Sequence, residues 1–354
     1  MSRFFSEKYS GLTPYTPGEQ PRDMKYVKLN TNESPFAPCQ AVIDAAASAA
    51  ASYQLYPDPD CKALTDALAA RYGVAPDEIL LTNGSDEILN FAFMAFCDEK
   101  HPIAFADITY GFYPVAAQLN RIPYKTIPLK EDFTLDPEDY IGIGMNIAIA
   151  NPNAPTGIAP LVSDIERIAV SNPDSVIIVD EAYVDFGTES AIPLTKKYDN
   201  ILVAQTFSKS RSMAGARIGF GIGNKALIAD LNTIKYSTNP YNISRASAAA
   251  GVAALENDDY FMNNCRTIME NRAWTVDRLK ELGFDVLPSS SNFVFAQADW
   301  IEGGELYLAL KSRGVLVRHF TLPRISNFVR ITIGSIEQMQ RLIEEITALR
   351  KERV

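Results

Sequence analysis

The feature that most constrains the fold is a series of short apolar segments, each followed by a polar or aromatic turn. These segments recur between residues 78 and 204 and are rich in Ile, Val, Leu and Ala, without apolar–polar alternation. Strands of this composition are buried on both faces, as in parallel sheets covered by helices. Stretches with the apolar spacing of amphipathic helices lie between them. The sequence therefore predicts an α/β fold with a mainly parallel sheet.

The turns that follow these segments hold the candidate functional residues. In open parallel sheets, ligands bind beyond the carboxyl ends of the strands, so the turns should lie along one rim. Taken singly, each has an ordinary structural explanation, such as a helix cap or a loop lysine. Their concentration at one rim favours a site instead. The rim would carry Gly84, Ser85, Asp86, Tyr110, Asn151, Asp180, Tyr183, Thr206, Ser208 and Lys209.

The chemistry of these side chains points to one cofactor. Lys209 could form a Schiff base with an aldehyde. Asp180 could hold a protonated ring nitrogen, Tyr183 could bond a ring hydroxyl, and Tyr110 could stack on the ring. An aldehyde-bearing pyridine with a phosphate arm would use all of these groups, and that molecule is pyridoxal 5′-phosphate.

The phosphate arm has its own predicted site. A glycine turn at a helix start presents free backbone N–H groups to an anion. An arginine eight residues after the lysine, between small and apolar neighbours, would act as the charged clamp. The predicted phosphate ligands are Ser85, the N–H of Asp86, Thr206, Ser208 and Arg217.

Composition argues against several other functions. The 354 residues include 43 Asp and Glu against 33 Lys and Arg, and the net charge of −10 disfavours non-specific nucleic-acid binding. With two histidines, His101 and His319, a metal site built on several histidines is impossible. The four cysteines are scattered, which indicates neither a disulfide framework nor a zinc site. No membrane-length apolar run or signal-peptide core is present, so we expect a cytoplasmic protein.

Two domains and an arm are expected. Residues 1–29 are rich in Pro, Gly and Tyr and predict an extended arm that packs against the small domain or a partner subunit. Residues 30–245 contain the strand–turn–helix units and predict the large cofactor-binding domain. From residue 246 helical spacing dominates, and 246–354 predict a smaller α+β domain.

Four motifs in this order resemble the fold-type I, pyridoxal-phosphate-dependent aminotransferases. They are Asn-Pro-x-x-Pro-Thr-Gly at 151–157, Asp-Glu-Ala-Tyr at 180–183, Thr-Phe-Ser-Lys at 206–209 and Gly-x-Arg-x-Gly at 215–219. Within the class II subgroup of that family, the chain is most similar to the histidinol-phosphate aminotransferase subfamily. The segments that carry this finer similarity are 12–15, 29–33, 56–59, 291–294, 314–318 and 329–334.

The resemblance covers nearly the whole chain and implies a fold and an activity. The fold would be a large domain with a sheet of seven-stranded type between helices, plus a smaller α+β domain. The activity would be transamination of L-histidinol phosphate with 2-oxoglutarate, giving imidazole acetol phosphate and glutamate in histidine biosynthesis. The enzyme would be a homodimer whose two active sites are shared between subunits.

The resemblance also implies roles for individual residues. Lys209 would be both the Schiff-base lysine and the proton shuttle. Tyr56 would reach the cofactor phosphate of the other subunit, and Arg330 would meet the acidic group of the substrate. The remaining implied substrate contacts are Tyr15, Asn32, Tyr241 and Arg318.

One position departs from the pattern of the family. The family usually has Asn immediately before Pro-Thr-Gly, where its side chain bonds the ring hydroxyl of the cofactor, but here the residue is Ala154. The ring hydroxyl would then depend on Tyr183 alone, and we expect a raised pKa of the bound cofactor.

Three alternatives remain open from the sequence. A threonine-phosphate decarboxylase or an aromatic aminotransferase would have the same fold and cofactor. A non-catalytic ligand-sensing domain of this fold should accompany a DNA-binding segment with a basic surface, and none is visible in a chain of net charge −10.

Overall fold

The structure, a computed structural model, describes residues 2–353. The strands are β1 (Val27–Lys28), β2 (Ile79–Thr82), β3 (Ile103–Ala106), β4 (Tyr124–Ile127), β5 (Asn146–Ala150), β6 (Ile177–Asp180), β7 (Ile201–Thr206), β8 (Gly219–Gly223), β9 (Phe284–Val286), β10 (Phe293–Ala298), β11 (Val315–Leu316), β12 (Arg318–His319) and β13 (Val329–Thr332).

Helices connect and cover these strands. They are α1 (Gln40–Ala50), α2 (Lys62–Tyr72), α3 (Ser85–Phe96), α4 (Phe112–Leu119), α5 (Val162–Ser171), α6 (Lys225–Thr238), α7 (Arg245–Glu256), α8 (Asp258–Glu281), α9 (Gly303–Ser312) and α10 (Ile336–Arg353). Among residues 2–353, no helix is both long enough and apolar enough to cross a membrane.

The central sheet has seven strands in the order β2-β8-β7-β6-β5-β3-β4. Neighbouring strands from β7 through β4 pair in parallel, whereas β8 runs antiparallel to both β2 and β7. The predicted α/β fold with a mainly parallel, seven-stranded sheet is confirmed. Its parallel carboxyl ends meet at one edge, where the predicted turns lie.

Helices cover the sheet on both faces, which explains why its strands lack apolar–polar alternation. Ile177 and Val179 of β6 pack into one core with apolar residues of α2, α5 and α7. Ile178, between them, packs into a second core with residues of α3, α4 and α6. Because successive side chains point to opposite faces, burial on both sides requires an unbroken apolar run.

A second, antiparallel sheet of four strands forms the C-terminal part, in the order β12-β13-β10-β9. Its own core includes apolar residues of α8, α9 and α10. β1 pairs in parallel with β11, which ties the end of the predicted arm to this part. Earlier in the arm, Glu19 accepts a hydrogen bond from Lys311 of α9 at 2.5 Å.

The predicted division into an arm and two domains stays a prediction. The packing of α7 favours a later boundary than residue 246, because its residues Ala250, Ala253 and Ala254 join the core of the seven-stranded sheet. A boundary near residue 257, at the start of α8, fits this packing better.

Candidate active site

A cavity of about 570 Å³ opens at the carboxyl ends of the parallel strands, between the two sheets. It brings together residues that are far apart in the sequence and that the sequence analysis had singled out. The predicted site residues that line it are Tyr15, Asn32, Ser85, Asp86, Tyr110, Asp180, Tyr183, Thr206, Ser208, Lys209, Arg217, Arg318 and Arg330.

Lys209 lies three residues beyond the end of β7, with its amine inside the cavity. Its Nζ donates a hydrogen bond to the main-chain oxygen of Thr31 at 3.2 Å. Burial lowers the pKa of Lys209 to about 8, and the positive charge of Arg330 acts in the same direction. A substantial fraction of the amine is therefore neutral near physiological pH, as a nucleophilic or proton-accepting amine requires.

Asp180 is the last residue of β6 and is buried at the floor of the cavity. Its carboxylate accepts hydrogen bonds from the hydroxyl of Tyr113 at 2.9 Å and from the N–H of Ala182 at 3.2 Å. Burial raises the pKa of Asp180 to about 6. A buried carboxylate with two neutral donors gains from a cationic partner, and a protonated pyridine nitrogen is such a partner.

Tyr113 was missed by the sequence analysis. It is fully buried in α4 and donates to Oδ2 of Asp180. The signal that could have found it is its place in the first turn of the helix after Tyr110, whose oxygen accepts a hydrogen bond from the N–H of Tyr113 at 3.1 Å. The two rings meet edge to face, with centroids 5.7 Å apart.

The start of α3 forms the anion-binding corner of the cavity. Gly84 precedes the helix with φ +80°, and a Cβ atom at this position would lie 2.3 Å from Nη2 of Arg217. Gly219 is equally constrained, because its Cβ atom would lie 2.3 Å from the carbonyl carbon of Gly84. Two glycines thus allow a helix N-terminus and a guanidinium to approach closely.

The hydroxyls predicted to complete this corner are also in place. Thr206 and Ser208 are buried and line the cavity, and their Oγ atoms lie 2.9 Å apart. The Thr206 hydroxyl also donates to the oxygen of Ile218 at 3.0 Å, and this bond ties β7 to the residue before β8. A phosphate group fits the combination of backbone N–H groups, hydroxyls and one arginine.

Tyr110 forms a wall of the cavity. Its hydroxyl donates to Oδ1 of Asp86 at 2.9 Å, and burial raises the pKa of Tyr110. The ring of Tyr15, from the N-terminal arm, approaches it edge-on with centroids 6.0 Å apart. A flat ligand would meet an aromatic surface here.

Two arginines lie on the side of the cavity formed by the C-terminal sheet. Arg330 of β13 is half-buried and donates through Nη2 to the oxygen of Asn30 at 3.1 Å. Its Nε has no hydrogen-bond partner among the described residues. Arg318 of β12 donates to the main-chain oxygens of Thr16 and Pro17 at 3.2 and 3.3 Å.

Arg330 has no carboxylate partner among residues 2–353. Burial lowers the pKa of its guanidinium, which contacts a main-chain oxygen and the ring of Phe293, 5.3 Å away. An anionic group of a ligand would supply the missing acceptor and the missing charge.

Asn151 is not among the residues that line the cavity, and its role in cofactor binding stays a prediction. Its side chain is fully buried and donates to Oε1 of Glu181 at 3.1 Å and to the oxygen of Glu189 at 2.9 Å. The neighbouring Ala154 does line the cavity, with a methyl group that offers no hydrogen bond.

The network that holds Asn151 was also missed. Glu181, next to Asp180, accepts hydrogen bonds from Ser190, the N–H of Ala191, Gln205 and Asn151. Burial raises the pKa of Glu181 to about 7, against the effect of these donors. No sequence pattern identifies this group, because its partners come from three separate segments.

Tyr56 and Tyr241 stack on each other, with centroids 4.7 Å apart, outside the cavity of their own chain. They are 76% and 45% exposed. Arg245 nevertheless holds the main chain of Tyr56 through a bond to its oxygen at 2.7 Å. The two rings come from separate loops, one before α2 and one before α7, and neither lines the cavity that holds Lys209.

Comparison with known proteins agrees with this geometry. The family model described as aminotransferase class I and II matches residues 24–346. The histidinol-phosphate aminotransferase of Aromatoleum aromaticum is 47% identical over 351 residues, which cover 98% of this chain and 99% of that protein. The enzyme of the same name from Brachyspira hyodysenteriae is 48% identical over 348 residues, with 98% of each chain covered.

A solved structure gives the same fold. The crystal structure of histidinol-phosphate aminotransferase from Sinorhizobium meliloti, in complex with pyridoxal-5′-phosphate, matches with a TM-score of 0.83 at 24% identity and covers 92% of each chain. The chain described here belongs to the class I and II aminotransferase family, and it is a pyridoxal-phosphate-dependent enzyme that acts on an amino donor and a keto acid.

Proposed function

We propose that the enzyme transfers the amino group of L-histidinol phosphate to 2-oxoglutarate, giving imidazole acetol phosphate and glutamate, a step in histidine biosynthesis. The observation that carries this proposal is the half-buried Arg330, whose Nε has no hydrogen-bond partner among the described residues, in the same cavity as Arg318. The names of the relatives, at 47–48% identity over nearly the full length, support it.

The two substrates share the chemistry that this arginine pair recognises. Histidinol phosphate carries a phosphate ester and an amine but no carboxylate, whereas 2-oxoglutarate carries two carboxylates. Each therefore offers an anionic group to the fork of Arg330, with Arg318 beside it. The hydroxyl of Tyr15, which lines the same cavity, is proposed as a further partner of the phosphate.

When bound, pyridoxal phosphate supplies an electron sink that allows the C–H bond at the amine-bearing carbon to break. Lys209 is proposed to accept that proton on Nζ and to deliver it again during transfer. Its lowered pKa, about 8, suits an amine that must alternate between neutral and charged forms. Asp180 would hold the ring nitrogen of the cofactor in its protonated form, because the ion pair would relieve the cost of burying the carboxylate.

The remaining cofactor contacts fix its position. The N–H groups of Ser85 and Asp86 and the guanidinium of Arg217 are proposed to hold the phosphate, together with Thr206 and Ser208. The hydroxyl of Tyr183 is proposed to bond the ring oxygen, and Tyr110 to pack against the ring. These groups lie on four connections at one sheet edge, those that follow β2, β3, β6 and β7, and the sheet fixes their spacing.

We also propose a homodimer with shared active sites. Tyr56 is 76% exposed but held by Arg245, and such a fixed exposed ring suits insertion into the cavity of a second copy. There its hydroxyl would reach the cofactor phosphate, with Tyr241 bordering the substrate. Tyr56→Phe should then weaken cofactor retention measured by dialysis and absorbance, without changing the fold.

A cytoplasmic location is proposed from thiol chemistry. The cysteines at 39, 61, 97 and 265 are all free, and three of them are buried. Free thiols of this kind persist in reducing compartments.

The decisive experiment is to incubate the purified enzyme with histidinol phosphate and 2-oxoglutarate and to measure glutamate. We expect Lys209→Ala to remove turnover by more than roughly 10³-fold, because nothing else in the cavity replaces its amine. Lys62→Ala, which changes an exposed lysine paired with Asp66, is the matched control and should retain full activity. Release of carbon dioxide from threonine phosphate, without glutamate formation, would instead support the decarboxylase.

A further inference from the structure

The amide of Asn32 has a bonding pattern that fixes its orientation. The N–H of Asn32 donates to Oγ1 of Thr332 at 2.9 Å. The hydroxyl of Thr332, which accepts there, donates its hydrogen to Oδ1 of Asn32 at 3.0 Å. Since Oδ1 must face Thr332, Nδ2 must face the other way, and it lies 2.9 Å from the hydroxyl of Tyr183.

This orientation has a consequence for Tyr183. An amide N–H can only donate, so the oxygen of Tyr183 accepts from Asn32. The hydroxyl hydrogen of Tyr183 must therefore point elsewhere, and no acceptor on the described part of the chain is bonded to it. Tyr183 lines the cavity, and the hydrogen is left for whatever ligand the cavity holds.

Asn32 is itself held firmly. It is 1% exposed and has φ +55°, a left-handed conformation that Asn tolerates better than most residues. Its main-chain oxygen accepts a bond from Nδ2 of Asn292 at 3.0 Å. Thr332 and Asn292, from the C-terminal sheet region, thus fix Asn32, and the amide of Asn32 bonds Tyr183, which follows β6 of the seven-stranded sheet.

We propose that Asn32 is a positioning residue, which directs the hydroxyl hydrogen of Tyr183 toward the ring oxygen of bound pyridoxal phosphate. The sequence resemblance implies a substrate contact for Asn32, whereas in the structure its Oδ1 and one N–H of its Nδ2 are engaged by Thr332 and Tyr183. Ala154, on the same cavity, offers the ring oxygen no donor. The pair of Asn32 and Tyr183 then sets the protonation of the cofactor.

The test uses the absorption spectrum of the holoenzyme, which changes with the protonation of its cofactor. A hydrogen bond to the ring oxygen favours the form in which that oxygen is ionised. Loss of the bond should therefore raise the pH midpoint, which is the pH at which half of the absorbance change has occurred. We expect Tyr183→Phe to raise the midpoint by about one pH unit and Asn32→Ala by about half a unit.

The double variant separates positioning from general disturbance. If Asn32 acts through Tyr183, then adding Asn32→Ala to Tyr183→Phe should leave the midpoint where Tyr183→Phe alone puts it. A shift that persists in the Tyr183→Phe background would overturn the proposal. So would an unchanged midpoint in Asn32→Ala alongside a shifted one in Tyr183→Phe.

A second variant tests the orientation itself. Thr332→Val removes the hydroxyl that orients the amide, so it should shift the midpoint in the same direction by a smaller amount. Thr347→Val, in α10, removes a hydroxyl that bonds the oxygen of Ile343 and should leave the midpoint unchanged. Equal midpoints for both threonine variants would contradict the proposed role of Thr332.

The inference rests on cofactor binding but not on the identity of the amino donor. A wild-type enzyme that shows no cofactor absorbance at any pH would overturn this proposal and the proposed function together. A wild-type enzyme that titrates normally, with Asn32→Ala unshifted, would overturn the role of Asn32 alone.

Discussion

Asp180 and Glu181 are consecutive carboxylates at the end of β6, yet their surroundings differ. Asp180 faces the cavity and has two hydrogen-bond donors, Tyr113 and the N–H of Ala182. Glu181 lies outside the cavity and has four donors. Burial raises the pKa of both, to about 6 and about 7. The difference in donors separates a group kept for a ligand from one that holds the protein together.

The same contrast extends beyond these two residues. On the cavity side, the Nε of Arg330 and the hydroxyl hydrogen of Tyr183 have no protein partner among the described residues. Behind the sheet edge, Gln205 donates to Glu181 and accepts from the hydroxyl of Tyr72 at 2.8 Å. Groups without a partner are not confined to the cavity, because Oδ1 of Asn151 and the hydroxyl of Tyr140 are also buried and unpartnered among the described residues. The contrast therefore concerns the groups that face the cavity and the carboxylate of Glu181, which has four donors.

The sharpest way to break this comparison is to remove the charge of Asp180. Asp180→Asn keeps the shape of the side chain but cannot neutralise a protonated ring nitrogen, so we expect turnover to fall by roughly 10³-fold. Steady-state assays of the holoenzyme measure this. Asp66→Asn, on the surface of α2, should leave turnover unchanged. A loss of turnover below about tenfold in Asp180→Asn would contradict the proposed role of Asp180 in binding the cofactor.

The next effect concerns stability and pH in the cofactor-free enzyme. Folding raises the pKa of Asp180 from 3.8 to about 6. The contribution of this group to the free energy of unfolding is therefore fully present below the unfolded pKa, and it is lost as pH rises through the folded pKa. Between about pH 4 and pH 7, wild type should lose about 2 kcal/mol of unfolding free energy relative to Asp180→Asn. Urea titrations at both pH values check this, and parallel pH profiles would contradict it.

Glu181→Gln tests the scaffold side. The Gln amide would present donors to groups that are themselves donors, so we expect a loss of about 2 kcal/mol in unfolding free energy. Turnover per cofactor-loaded molecule should fall less than tenfold, the reverse of the pattern in Asp180→Asn. Glu166→Gln, whose carboxylate bonds Tyr198 and Lys197 near the surface, should cost much less.

The smallest effect is expected at the far end of the network. Tyr72→Phe removes the hydroxyl that donates to Oε1 of Gln205, and we expect a loss of about 1 kcal/mol with unchanged turnover. Chemical denaturation of the variant measures it, with Tyr198→Phe as the partner change at the surface. A turnover defect in Tyr72→Phe would show that the hydrogen bonds around Gln205 and Glu181 influence catalysis, contrary to the comparison.

The contrast also explains what the sequence could predict. The strands were identifiable because burial on both faces requires runs such as Ile177 to Val179, and their tips locate the rim of the sheet. Lys209, Asp180 and the glycine turn at Gly84 follow directly from that reasoning. Each is local in sequence, with a strand or helix terminus to fix its position.

The missed features depend on contacts between distant segments. Asn32 meets Thr332 across 300 residues, and Asn151 meets Glu189 rather than the cavity. Both are asparagines in polar turns, and the local pattern of such a turn does not determine which way the amide faces. For Asn32 the contact with Thr332 of the C-terminal sheet decides it, and for Asn151 the bonds to Glu181 and Glu189 decide it.

The fixed, exposed loop that carries Tyr56 has a genetic consequence. If Tyr56 serves the cavity of a second copy while Lys209 serves its own, then mutations at these two positions fall in separate halves of a shared site. A mixed population of Tyr56 and Lys209 variants would contain hybrids in which one site carries both defects and the other carries neither. Two alleles, each inactive alone, could then restore growth together, and such complementation would be invisible in any single-subunit description of the enzyme.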